Sequence, residues 1–370
     1  MNRIKRVFLK FDSQFDMGEK KKLRDGLSAV LQIGQTLWLA NDETLSLERL
    51  TFHGQTATDD FIYGEHQQFP LSQLLNLPVP PKSAQNFEEA DIEGLAFDET
   101  ESYLWLIGSH SLKRRQADPE KSEGENIARL SKVGSDGNRY LLARIPVVEQ
   151  DGSLQLTRES VEPQRTAAQL RGEHSWSALT KALKHDEHLG DFFATPSKDN
   201  GFDIEGLAVA GKRLFIGLRG PVLRGWAIIL EIEPQVDEHD SHTLTLAKIG
   251  EDSCPYRKHF VQLGGLGIRD LCVHGDDILI LAGPTMDLDG PVTVSRWVNG
   301  ARTVGESLVF NENLEKLLDV PFSHASDHAE GMTLFSTTDG AGPSLLIVYD
   351  TPGVDRKRPD GSVEADIFEL

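Results

Sequence analysis

The sequence predicts an all-β fold, a β-propeller of five four-stranded blades, on three observations. A phrase recurs along the chain, its copies are nearly evenly spaced, and strand-like runs at the two ends balance only in a closed ring. The clearest copies are Asp91-Ile92-Glu93-Gly94-Leu95-Ala96-Phe97, Asp203-Ile204-Glu205-Gly206-Leu207-Ala208-Val209 and His328-Ala329-Glu330-Gly331-Met332-Thr333-Leu334. A second apolar run follows each, at 104–107, 214–216 and 345–348. Weaker copies are Asp25-Gly26-Leu27, followed by 37–40, and Arg269-Asp270-Leu271, followed by 278–281. Such repetition marks one supersecondary unit used several times. Aligned on Asp25, Glu93, Glu205, Arg269 and Glu330, the copies stand 68, 112, 64 and 61 residues apart. The long gap calls for an insertion at about 151–204 in a single domain spanning 1–370. The alternative is a sixth blade hidden in 148–200.

The elements follow in order. Residues 4–11 read as a strand. The first repeat begins at Asp25, and a helical turn is expected at 71–75. In the second repeat, 113–126 is charged and poor in apolar residues, so it reads as a solvated loop. Its third and fourth strands are expected near 126–133 and 139–147. Within the insertion, 175–183 reads as a helix with Ser175 at its N-cap and Trp176, Leu179 and Leu183 on one face. The third repeat shows four runs rich in β-branched and apolar residues, at 205–209, 214–218, 226–232 and 243–247. A helical turn is expected at 313–318. The last repeat offers only three strands, at 330–335, 344–349 and 365–370. Residues 4–11 supply the missing fourth, which closes the ring and leaves no open sheet edge.

Composition narrows the partners. The chain has 370 residues, with 58 acidic against 38 basic and a net charge of -20. That surface repels nucleic acid and anionic membranes, so neither is an expected partner. Its two cysteines, Cys254 and Cys272, form no metal-binding or redox spacing. The basic N-terminal residues lack the apolar core of a signal peptide. No run approaches the ~20 apolar residues of a membrane span. The expectation is a soluble cytoplasmic protein, with a monomer compatible and the oligomeric state open.

The phrases around Glu205 and Glu330, together with Gly217-Leu218-Arg219-Gly220-Pro221 and Gly264-Gly265-Leu266-Gly267-Ile268-Arg269-Asp270-Leu271, resemble the bacterial family called domain of unknown function 3616 (DUF3616). The resemblance covers about 20–370. It implies a propeller-like fold and no established activity. The phrase is more distantly similar to phytase-like esterase propellers and other calcium-associated propellers, a likeness of fold that transfers no chemistry.

The repeated acid is the candidate site. The first strand of a blade lies innermost, so Glu93, Glu205 and Glu330 should meet at one mouth of the central channel, with Arg269 and Asp25 at the matching positions of the weaker copies. Residues two positions earlier share a strand face, which adds Asp91, Asp203 and His328. The second strand returns antiparallel and brings Asp42, Ser109 or His110, Arg219 and Asp350 to the same rim. Crowded carboxylates can bind a hard cation such as Ca²⁺ or Mg²⁺, take up protons, or pair with arginine. Pairing with Arg219 and Arg269 needs no ligand at all.

Three functions follow. The first is binding of a small molecule or ion at the polar mouth. The second is a cation-dependent hydrolase of a phosphoester, ester or lactone, with metal on Glu93, Glu205 and Glu330, His110 or His328 as general base, and Arg219 holding an anionic group. The third is a protein-interaction scaffold presenting the inserted region 151–204, whose helix offers Trp176, Leu179 and Leu183 as an apolar face. Other motifs are weaker. Gly264-Gly265 reads as a tight inter-blade turn, His185 and His188 as a solvated helix end, and Asp287-Leu288-Asp289-Gly290 as a loop without the closing Glu of a calcium site.

Overall fold

The computed structural model describes residues 3–19, 21–83, 86–286, 288–336 and 342–370. Asp287 of the sequence motif above lies outside them. The described chain is all-β apart from short helices. Five hairpins organise it, and their first strands are Leu27–Ile33, Ile92–Asp98, Asp203–Ala210, Gly267–His274 and His328–Phe335. Each of these inner strands packs beside the next in the order given, and the last packs beside the first.

Each hairpin continues outward into a third and a fourth strand. In the first sheet these are Ser46–Gln55 and Phe61–Pro70, and in the fourth Val292–Trp297 and Leu314–Val320. The last sheet runs His328–Phe335, Ser344–Asp350 and Val363–Glu369, and its outermost strand is Arg3–Leu9, paired antiparallel with Val363–Glu369. Arg3–Leu9 also pairs parallel with Phe61–Pro70, which stitches the last sheet to the first. The core follows the same plan. Five apolar clusters each draw side chains from two consecutive sheets, and one joins the last sheet to the first through Val7, Leu9, Phe335 and Ile367 on one side and Leu39, Phe61 and Tyr63 on the other. No sheet owns a core of its own, so burial of apolar surface drives the ring as a whole.

Several expectations are corrected. Residues 126–133 are not the third strand of the second sheet. Ser122 and Glu125 form a capping box that starts a helix, Glu123–Leu130, and leave Ile127 and Leu130 exposed. The third strand is Leu142–Gln150 and the fourth is Ala168–Leu170, inside the stretch read as an insertion. In the third sheet, Thr243–Leu246 is a strand but pairs parallel with Ala168–Leu170 of the preceding sheet, and Arg257–Gln262 is the fourth strand. The alternation that marks a strand does not say which edge it joins. Residues 313–318 fall largely in the strand Leu314–Val320, because Leu317, Leu318 and Val320 are buried in that form. The insertion helix is Ala178–Leu183, capped by Ser177 rather than Ser175. Its Leu179 and Leu183 are buried in the core between the second and third sheets, so it presents no apolar face to a partner. The helical turn at Leu71–Leu74 is present. Gly264 and Gly265 both take positive φ, as the tight turn requires.

Candidate functional site

The recurring phrase encodes a β-bulge. In every inner strand the ladder to the second strand skips one residue at the same place: Ser28, Glu93, Glu205, Arg269 and Glu330. A bulge re-aims the extra side chain. The residue after the bulge touches the neighbouring inner strand. A Cβ on Gly94 would stand 3.0 Å from the Leu207 amide nitrogen, one on Gly206 3.2 Å from Cα of Asp270, and one on Gly331 2.9 Å from Cα of Ala29. The glycines of the phrase are there because the strands approach this closely. The other two links are polar. Ser28 Oγ donates to Ile92 O at 2.5 Å, and the buried Asp270 carboxylate accepts from the Met332 amide at 2.7 Å and the Leu271 amide at 2.8 Å.

The bulge corrects one alignment. Ser28, not Asp25, matches Glu93. Asp25 lies in a turn before the strand and pairs with Lys357 Nζ at 2.7 Å, away from the mouth. Asp25-Gly26-Leu27 mimics the phrase by composition only.

Glu93, Glu205 and Glu330 do line one cavity, of about 870 Å³, with Asp91, Asp203, Asp42, Asp350 and Arg219. Ion pairs run through and beneath its acidic lining. Arg219 meets Asp203 and Glu205, each at 2.6 Å. Arg269 meets Glu205 at 3.1 Å and Glu330 at 2.8 Å, and donates to Pro284 O at 3.0 Å. Asp91 pairs at 2.6 Å with Arg139. Sequence reasoning missed Arg139, Ser28 and Asp270. Arg139 comes from a short turn, Gly137–Tyr140, that no repeat signals. Asp270 and Ser28 were visible only as departures from the Glu-Gly pattern.

Three acids stay outside these pairs. The side chains of Asp42 and Glu93 make no hydrogen bond or ion pair among the described residues. Oδ1 of Asp42 is shut off from solvent without a partner. Asp350 accepts from the Thr351 hydroxyl at 3.0 Å. Burial pushes all three carboxyls above the ordinary range, and neighbouring acids add to the shift at Asp42 (Asp91, Asp350) and Glu93 (Asp91, Glu205, Glu330). Burial and Asp350 also raise Glu330, against the pull of Arg269.

Neither histidine joins the cavity. His110 is buried behind its wall, with Nδ1 2.8 Å from Gly108 O and Nε2 unpartnered, and burial lowers it to about 4. His328 sits opposite Asp350 in the ladder but turns Nε2 toward Asp289, at 3.5 Å. Neither imidazole is therefore placed to act as a general base on a molecule in this cavity. Arg219 is engaged by two carboxylates and offers no free fork to an anion. Among the described residues, no three His, Cys, Asp or Glu side chains stand where they would hold a metal ion. Glu205 and Glu330 spend their oxygens on arginine, so the expected Ca²⁺ or Mg²⁺ set of Glu93, Glu205 and Glu330 does not fit such an ion. Among the described residues, no helix is long and apolar enough to cross a membrane.

A family described as protein of unknown function (DUF3616) matches residues 26–366. No curated protein matches the chain. Among solved structures, glutaminyl cyclase of Myxococcus xanthus is 9% identical over 100% of this chain and 97% of that one, with a TM-score of 0.40. The PQQ-bound aldose sugar dehydrogenase of Streptomyces coelicolor is 10% identical over 94% and 96%, at 0.34. The WD40 β-propeller domain of Doa1 is 11% identical over 95% of each chain, at 0.32. At such scores these likenesses carry nothing about chemistry.

Proposed function

The chain belongs to the DUF3616 family of β-propeller proteins of unknown function, and from that premise we propose that it binds a small polar molecule at the charged mouth of its ring. On this reading it is a single domain of five blades, closed by Arg3–Leu9. The five inner strands in ring contact and the five clusters between sheets support that count. One observation carries the functional reading. A bulge at the same register in four inner strands delivers Glu93, Glu205, Arg269 and Glu330 to one place, and the three acids among them line one cavity. Convergent polar groups in a concavity of this size are the usual form of a ligand site.

The hydrolase reading has neither expected histidine in the cavity lining, and the helix of the insertion buries Leu179 and Leu183 in the core. The test is a thermal-shift screen of small metabolites on the wild type and on Glu93→Gln. A ligand present at 100 times its Kd stabilises the folded chain by about 2.7 kcal/mol. At least one compound should raise the melting temperature of the wild type and act much less on the variant. If none does so, or the variant responds equally, the mouth is not the binding site.

A further inference from the structure

We propose that the ligand of this mouth is an organic cation, an amine or guanidine with several N–H donors, seated among Asp42, Glu93 and Asp350. The proposal rests on the reading of the mouth as a ligand site and adds the charge and chemistry of what fills it.

Most of the positive charge at the mouth is already satisfied. Arg139 is held by Asp91, Arg219 by Asp203 and Glu205, and Arg269 by Glu205 and Glu330. None of these guanidinium groups is left for an anion. At the outer wall, Lys113 is tied to Glu89 and Asp136, and Arg114 to Asp199. Arg115, Lys132 and Lys198 also reach the cavity wall, all three exposed to water, where their field is screened, although Lys198 still pulls the Asp350 carboxyl down. The surplus at the acidic lining is negative.

That surplus is not solvated in the ordinary way. Asp42 has one carboxylate oxygen closed off from water and unpartnered, and the half-buried Glu93 beside it makes no hydrogen bond or ion pair among the described residues. A buried polar group left without a partner is costly, and a charged one more so. A cation with N–H donors returns the missing interactions as charge-assisted hydrogen bonds.

Geometry selects an organic cation over a metal ion. Ca²⁺ needs 6–8 oxygens about 2.3–2.6 Å from one point. The described residues offer no such convergence, and the acids are instead spread around a cavity of about 870 Å³. An amine or guanidine distributes its donors over several ångströms and has room there. The cavity wall also lacks Phe, Tyr and Trp among its described residues. A quaternary ammonium group is recognised by such rings, so N–H donors rather than methylated nitrogen are expected.

The experiment is isothermal titration of the full chain with agmatine and spermidine, beside choline, 1,4-butanediol and MgCl₂. Agmatine or spermidine should bind at pH 8, with choline and the diol at least tenfold weaker. Glu93→Gln and Asp42→Asn should each weaken binding about tenfold. No binding of either amine, equal binding of choline, or Mg²⁺ binding that depends on the same two residues would overturn the proposal. Should the variants fail to fold, the wild type alone decides. Its affinity for agmatine should rise severalfold from pH 5 to pH 8, as Asp42, Glu93 and Asp350 ionise beside Asp91, Glu205, Glu330, His328 and Lys198. A flat profile counts against it. A neutral or anionic compound binding at the mouth, with the amines silent, sinks the organic cation and leaves the binding reading standing. If no small molecule binds, both fall.

Discussion

Replacing Arg269 with glutamine tests the ion pairs of the mouth directly. Arg269 is 9% exposed in its side chain and bridges Glu205, 4% exposed, to Glu330, 15% exposed. Glutamine keeps much of the stem and removes the charge. Two buried carboxylates then lose their shared counter-ion, although Glu205 keeps Arg219. Removing one partner of a buried pair costs about 3–5 kcal/mol, most of it from the charge left behind. Glu330 bears that cost, and it can escape by taking up a proton. Burial already lifts its carboxyl, and Arg269 is what pulls it down. Without Arg269, the folded-state pKa of Glu330 rises further above its unfolded value. A group shifted that way adds stability at low pH and loses it as pH climbs through the folded pKa. Arg269→Gln should therefore be destabilised by about 3 kcal/mol or more at pH 7.5 and clearly less at pH 5. The double variant Arg269→Gln/Glu330→Gln should regain much of the loss at pH 7.5. Urea unfolding followed by tryptophan fluorescence at both pH values measures this. A loss below about 0.5 kcal/mol, within the range of an ordinary surface substitution, refutes the reasoning, as does a loss independent of pH.

Other outcomes follow from neighbouring features. Gly331→Ala places a Cβ 2.9 Å from the backbone of Ala29 and Val30, so it should cost about 1–3 kcal/mol in the same unfolding assay. Asp270→Ala strips the amides of Met332 and Leu271 of their acceptor and should cost about 2–6 kcal/mol, at about 1–3 for each orphaned group. Asp42, Glu93 and Asp350 are all shifted upward, so unliganded wild type should lose stability as pH rises from 5 to 8. The variant Asp42→Asn/Glu93→Gln/Asp350→Asn should flatten that slope, and an unchanged slope would show that other groups set it.

Much of the architecture is written in the recurring phrase, because Glu-Gly names both the bulge and the close approach beside it. Where a repeat departs from those letters, the phrase misleads. Ser28-Ala29 occupies the same bulge in the first sheet without an acid or a glycine, so the eye settles on Asp25-Gly26 three residues earlier. The strand partners of Ala168–Leu170 and Thr243–Leu246 were hidden for a different reason. These strands are 3 and 4 residues long, and their pairing is between sheets, where local alternation carries no information. Of the acids expected at the mouth, Glu93, Glu205, Glu330, Asp42 and Asp350 line one cavity, and Glu205 and Glu330 pair with Arg219 or Arg269 as the sequence suggested. Arg139 was unreadable, because a turn far from Asp91 in the chain delivers it. The histidines failed for reasons of direction: His110 takes a positive φ that turns it inward, and His328 faces Asp289 rather than the axis.

The pairing of Arg3–Leu9 has a bearing on how the molecule is made. Arg3 meets Asp366, a residue 363 positions later. At 5–20 residues per second, a ribosome needs roughly 20–70 s to supply that partner. An unpaired strand waiting that long invites association with other nascent chains. Two features guard it. Its parallel partner, Phe61–Pro70, emerges early and holds Val7, Phe8 and Leu9 against Phe61, Ile62 and Tyr63. Lys5, Arg6 and Lys10 add like charge along the strand that deters a second copy. The first sheet thus carries, from early in synthesis, the edge onto which Val363–Glu369 adds when it is finally translated.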